Sequence, residues 1–154
     1  MEIQRATIED LEVIAREQAS FWGERDMSHL HHPMLIHEFG DTALLVTDGH
    51  GTVIAYLLGL LTPAGTGYVH LVAVREGHRH EGLGRRLYEE FESIVASLGG
   101  VRLKAITRPE NTRSIAFHRA LGFSAVDTPD YSGPGETRTV FARRIGTASP
   151  GMSN

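Results

Sequence analysis

Apolar positions along the chain change period several times, and each change predicts an element. Ile3 to Arg5 fits a short strand. Thr7 and Asp10 then make a capping-box-like start for a helix whose apolar face, Ile8, Leu11, Ile14 and Ala15, runs to about Ala19. Between Phe21 and Phe39, Trp22, four histidines and Pro33 read as a loop plus one short helix beginning near Pro33. Two β-branched-rich runs, Thr42 to Thr47 and Thr52 to Leu61, flank Asp48-Gly49-His50-Gly51 and predict a hairpin. After a loop over Pro63 to Gly67, Tyr68 to Val74 reads as a buried strand. Leu83, Leu87, Phe91, Ile94, Val95 and Leu98 describe a long amphipathic helix closed by Gly99-Gly100. Val101 to Thr107 is a strand, Thr112 to Leu121 a helix stopped by Gly122, and Phe123 to Val126 and Thr137 to Ile145 the last two strands. Hairpins at the start and helical crossovers at the centre predict one α/β domain over residues 1–145, a mixed sheet flanked by helices.

Composition narrows the class. A chain of 154 residues with 41% hydrophobic and 22% charged positions suits one average domain, and the small residues of 146–154 read as a flexible tail. No stretch approaches the ~20 apolar residues of a membrane span, and the start lacks the basic-then-apolar order of a secretory signal, so the expectation is a soluble, cytoplasmic protein with no membrane partner. The absence of cysteine excludes disulfides, thiolate metal sites and a covalent intermediate on an enzyme thiol. A net charge of −4 argues against nucleic acid as a partner.

One segment reverses that sign. Over Arg75 to Arg86 four arginines stand against two glutamates, in a glycine-bearing turn from a strand end into a helix start. Backbone N–H groups in the first turn of a helix lack internal acceptors, and the helix dipole adds positive potential, so a diphosphate can sit there if side chains leave room. Gly82 and Gly84 are read as leaving it. No Gly-Lys-Ser/Thr follows, and the loop comes after the fourth strand rather than the first, which sets aside a P-loop and a dinucleotide fingerprint.

Arg79-His80-Glu81-Gly82-Leu83-Gly84 matches the (Gln/Arg)-x-x-Gly-x-(Gly/Ala) signature of the GNAT N-acetyltransferase family, with Val72-Ala73-Val74 as its preceding strand. Asn111 to Phe123 resembles the family's second motif, an Asn … Gly-Phe segment at the expected distance downstream. The resemblance covers Ile3 to about Ile145. It implies a GNAT-like acyl-CoA N-acyltransferase fold, a mostly antiparallel twisted sheet splayed between its fourth and fifth strands. It also implies acetyl-CoA as cosubstrate, with no metal. Backbone amides from Arg79, His80, Glu81, Gly82, Leu83 and Gly84 through Arg85 would hold the diphosphate. The pantetheine arm would lie along Val72, Ala73 and Val74, with the Val74 N–H as oxyanion donor. Asn111 would contact the cofactor arm and Arg113 the nucleotide end.

Direct attack by an amine on the thioester needs the amine neutral, so a base is useful. Tyr68 and His70, two apart on one strand and therefore expected on one face, are the candidates, His70 first. Where many members keep a tyrosine as proton donor to the thiolate, this chain has His118, which is the expected acid here. By the same analogy the segment between the first two strands covers the acceptor site and makes Trp22, Arg25, His29 and His32 candidate substrate contacts. A metal site among His29, His31, His32 and His37 is set aside, because no H-E-x-x-H helix or firmly placed carboxylate completes a set. Asp127, Asp130, Tyr131 and Glu136 are read as an acidic lid favouring a cationic amine. The expected function is N-acetylation of a small-molecule amine. The alternatives are a peptide or protein N-acetyltransferase and a non-catalytic acyl-CoA-binding module. Family members often pair as homodimers.

Overall fold

The computed structural model describes residues 2–146; the predicted tail from Thr147 onward lies outside the described residues. Seven strands form a single sheet in the order β1-β2-β3-β4-β5-β7-β6. They are β1 (Ile3–Arg5), β2 (Ala43–Thr47), β3 (Val53–Leu61), β4 (Thr66–Val74), β5 (Arg102–Thr107), β6 (Ser124–Thr128) and β7 (Arg138–Arg144). All neighbours are antiparallel except β4 and β5, which are parallel because the helix α4 (Leu83–Ser97) crosses over between them.

The first helix, α1 (Ile8–Arg16), starts as predicted: the Thr7 hydroxyl accepts from the Asp10 N–H while the Asp10 carboxylate accepts from the Thr7 N–H. It ends three residues before the predicted Ala19, and a separate turn, α2 (Ala19–Trp22), takes over where a loop was expected. Side chains at the break work elsewhere. Glu17 pairs with Arg75 at 2.6 Å, and Gln18 accepts the Met27 N–H at 2.7 Å. A 3-10 turn over Ser28–Leu30 and α3 (Met34–His37), entered through Pro33, complete this region. The last helix is α5 (Thr112–Ala120).

Two apolar layers sandwich the sheet. Leu44, Val46, Ile54 and Leu57 face α4 and α5 with Leu87, Phe91 and Phe141, while Ala43, Leu45, Tyr56 and Leu58 face α1 to α3 with Leu11, Ile14 and Leu35. Burial on both faces is why β2 and β3 read as unbroken apolar runs. The β3–β4 register slips by one between Leu58↔Leu71 and Gly59↔Val69, so His70 is the extra residue of a β-bulge. Val69 accordingly packs in the α4–α5 layer, whereas Leu71, two residues on, packs in the other. The Gly146 N–H donates to Glu92.

Candidate active site

β4 and β5 pair only over Thr66–Tyr68 and Arg102–Lys104, and beyond Tyr68 they part. On its other side β4 stays paired with β3 as far as Val74. Arg75 donates its N–H to Ile54 across that ladder, which makes Ile54–Arg75 a hydrogen-bonded pair and Ala55↔Val74 the alternate, non-bonded kind. By the same alternation the N–H and C=O groups of Val72 and Val74 turn away from β3 into the gap, and Ala73 turns to β3. Val72 and Val74 side chains pack on the α4–α5 layer.

At the open end of this gap lies the loop into α4. The N–H groups from Arg79 to Arg85 have no backbone acceptor among the described residues, and α4 has no side-chain cap at Gly82. Gly77, His80 and Gly82 all have positive φ, at 94°, 72° and 76°. Left-handed turns of this kind curl successive amides toward a common point, an anion-binding concavity. His80 is the only non-glycine among the three, and a side chain held there carries backbone strain of the sort that gathers at ligand clamps. The loop is propped from α2: Glu76 N–H donates to the Ser20 carbonyl, and Arg79 donates to the Phe21 carbonyl at 3.1 Å.

Two details of the loop differ from expectation. Gly82 has open space around the position a Cβ would take, but at Gly84 that Cβ would stand 2.9 Å from the Phe117 ring of α5. Gly84 is small because two helices touch there. Arg75 lies with its guanidinium 4.7 Å above the Phe21 ring and is paired with Glu17, which removes it from the loop's positive field.

Along β4, His70 is half-buried and its Nε2 lies 2.8 Å from the Leu30 carbonyl. A carbonyl only accepts, so Nε2 carries the proton and Nδ1 the lone pair. Burial first, and the neighbouring His32 imidazole after it, hold His70 below the ordinary imidazole value, which keeps it neutral at pH 7. Tyr68 stands where the strands part and is hydrogen-bonded to Tyr131; burial and this neighbour push its hydroxyl up to about 12. That removes Tyr68 as a base and leaves it a hydroxyl donor. Tyr68 and His70 have different partners, Tyr131 for the one and the Leu30 carbonyl for the other.

Asn111 and His118 are hydrogen-bonded within the chain. Asn111 caps α5, accepting from Ser114 N–H at 3.2 Å and donating to the Thr107 hydroxyl at 3.1 Å. Arg113 is exposed in the first turn. His118 is 3% exposed and stacked 3.9 Å from Phe141. Its Nδ1–H donates to the Ser114 carbonyl at 2.8 Å, and its Nε2 accepts the Tyr88 hydroxyl at 2.6 Å. With both nitrogens used and burial lowering its pKa to about 4, His118 is a neutral core residue and not the expected acid.

Of the expected substrate contacts, Trp22 donates its indole N–H to Tyr56, Arg25 and His29 are exposed, and His32 is exposed with its ring 6.3 Å from that of His70. Among the described residues no three His, Cys, Asp or Glu side chains converge as a metal site, and no helix is long and apolar enough to cross a membrane. In the expected acidic lid, Asp127 accepts from Thr139 and Asp130 from the Gly135 N–H, while Glu136 pairs with Arg138.

A family model described as Acetyltransferase (GNAT) family matches residues 8–123. The chain belongs to this family. A mycothiol acetyltransferase of Beutenbergia cavernae is 31% identical over 83 residues, 54% of this chain and 28% of that protein, so the chain matches well under a third of the curated relative's length. Ard1 from Thermoplasma volcanium superposes with a TM-score of 0.80 at 22% identity, over 95% of this chain and 98% of that one. YncA from Salmonella typhimurium, solved with its cofactor acetyl-CoA, gives 0.71 at 19%, over 96% and 95%. At those identities the two structures establish the fold.

Sequence reasoning about this GNAT family chain passed over Tyr56 and the Leu30 carbonyl, and weighed His31 only as a metal ligand. A signal was present, since Tyr56 sits inside an unbroken apolar run and a buried phenol needs a partner.

Two measurements check the assignments. Gly84→Ala should destabilise the GNAT domain by about 1–3 kcal/mol in urea unfolding, and Phe117→Leu should restore part of that loss in the double variant; a neutral Gly84→Ala would refute the contact. For His118, folded pKa about 4 against the ordinary 6.5 means the folded state binds protons less readily. Its contribution is present above pH 6.5 and is lost as pH falls toward 4, on the order of 3 kcal/mol. Unfolding free energies at pH 7 and pH 4 should differ by that much more in the wild type than in His118→Phe.

Proposed function

We propose that this GNAT acetyltransferase transfers the acetyl group of acetyl-CoA to the nitrogen of a small-molecule amine by direct attack. The observation that carries the reading is the strip of unpaired Val72 and Val74 amides facing the β4–β5 gap, which ends at the uncapped start of α4. Coenzyme A combines a secondary-amide arm with a diphosphate, and the chain offers an unpaired strand edge for the first and a nest of N–H groups for the second. The residues present therefore fit the cosubstrate. Arg79 and Arg85 add charge at the loop, and Arg113 lies on the first turn of α5 for the nucleotide end.

The amine nitrogen attacks the thioester carbonyl carbon, forming the C–N bond. The Val74 N–H is the donor for the oxygen as it becomes negative. The lone pair of His70 Nδ1, directly or through water, takes the proton the nitrogen sheds. The C–S bond then breaks, and the thiolate leaves to be protonated by solvent, a route that requires no acid from His118. Lowered His70 basicity suits a base that must stay unprotonated near neutral pH.

Thiol release from acetyl-CoA, followed over a panel of small amines and short peptides, tests the reading. Acceptor-dependent release with small amines supports it; release with peptides alone transfers the acceptor to the protein class, and coenzyme A binding without turnover across the panel refutes catalysis. His70→Ala should lower kcat/KM by about 10²–10⁴. With an aryl amine that stays neutral throughout, the wild-type rate should fall only as pH drops below 6.5, the ordinary imidazole value, and that acid limb should vanish in the variant.

A further inference from the structure

We infer that Tyr56 and His31 are positioning residues for His70, holding the Leu30 carbonyl so that His70 keeps its proton on Nε2 and its lone pair on Nδ1. The inference rests on the reading of His70 as base and explains how that base is oriented.

A chain of hydrogen bonds runs in one direction through this region. The Trp22 indole N–H donates to the Tyr56 hydroxyl at 2.7 Å. His31 Nδ1 lies 2.8 Å from the Met27 carbonyl, so that nitrogen is the protonated one, and its Nε2, 2.8 Å from Tyr56, accepts the phenol proton. Tyr56 is fully buried in β3, and His31 is 7% exposed. Every donor has one acceptor, and the order of donation cannot be reversed without leaving a buried polar group unmatched.

What this chain fixes is the turn that contains Leu30. The Met27 carbonyl accepts both His31 Nδ1–H and the Leu30 N–H, the latter at 3.0 Å, and the His31 N–H donates to Ser28. The Met27 N–H is in turn held by Gln18. Leu30 is thus bracketed on both sides, and its free carbonyl meets His70 Nε2. A base whose other nitrogen is held by a fixed acceptor keeps one tautomer and one ring orientation, and misplacing it costs rate.

The titratable neighbours are imidazoles. His31 faces His29, His32 and His70, His70 faces His32, and Asp26 faces His29 while its own carboxylate is held by Ser28 and Gln18. Protonating His31 would set an N–H against the Tyr56 O–H and break the chain in the middle.

The test uses the full chain labelled with ¹⁵N-histidine. Long-range ¹H–¹⁵N spectra should show His70 as a single Nε2–H tautomer in the wild type. Tyr56→Phe keeps the ring and its edge contact with Phe21 but deletes the hydroxyl; it should mix the His70 tautomers, lower kcat by about tenfold or more and leave KM for acetyl-CoA unchanged. Trp22→Phe, which removes only the far donor, should move the same signals less. His70 signals and a pH–rate profile unchanged in whichever of these variants folds would overturn the inference. The base reading fails on separate grounds, if His70→Ala turns over at the wild-type rate.

Discussion

Backbone amides without partners are costly wherever water is kept out, and β4 carries a row of them. Paired with β3 along its whole length and with β5 over only three residues, the strand is half in the sheet and half at an internal edge. The parallel crossover through α4 places β5 beside β4 at one end, and α4 and α5, in contact at Gly84 and Phe117, occupy the layer over the other. The site follows from that arrangement. A ligand able to present amides in strand spacing completes the ladder, and the same strand delivers it to a helix start whose own N–H groups are unused.

Much of this was legible in the chain. The periodicity of Leu83 to Leu98, the Asp48-Gly49-His50-Gly51 turn and the two motif blocks follow local rules that survive folding, and they located the sheet order's helical crossover and the loop. Local rules failed where a residue's job is set by a distant one. Gly84 reads only as phosphate room until Phe117 is seen against it, Arg75 reads as part of a basic cluster until Glu17 arrives from just past α1, and His118 reads as an acid until Tyr88 and Phe141 enclose it. The bulge at His70 is of the same kind, because it lies in the register between two strands and not in either one alone.

Histidine is where composition was most misleading. A cluster of imidazoles in an irregular segment suggests metal or substrate, yet the two best-buried histidines, His31 within that segment and His118 on α5, each have a tautomer dictated by a carbonyl, Met27 for the one and Ser114 for the other. Both are neutral and accept a hydrogen bond from a phenol, Tyr56 for His31 and Tyr88 for His118. His70 is tied by the same device to Leu30, but its second nitrogen has no such occupant among the described residues. The chemistry of one imidazole is therefore set apart from that of its neighbours by hydrogen bonding, not by residue type.

The hydrogen bond from Trp22 to Tyr56 has a practical side. Trp22 is the chain's single tryptophan, and its indole nitrogen is bound to the head of the relay that ends at Leu30. Indole emission responds to what its N–H donates to, so the protein contains an intrinsic fluorophore whose signal comes from the segment between β1 and β2 alone, with no competing emitter of its kind elsewhere in the molecule.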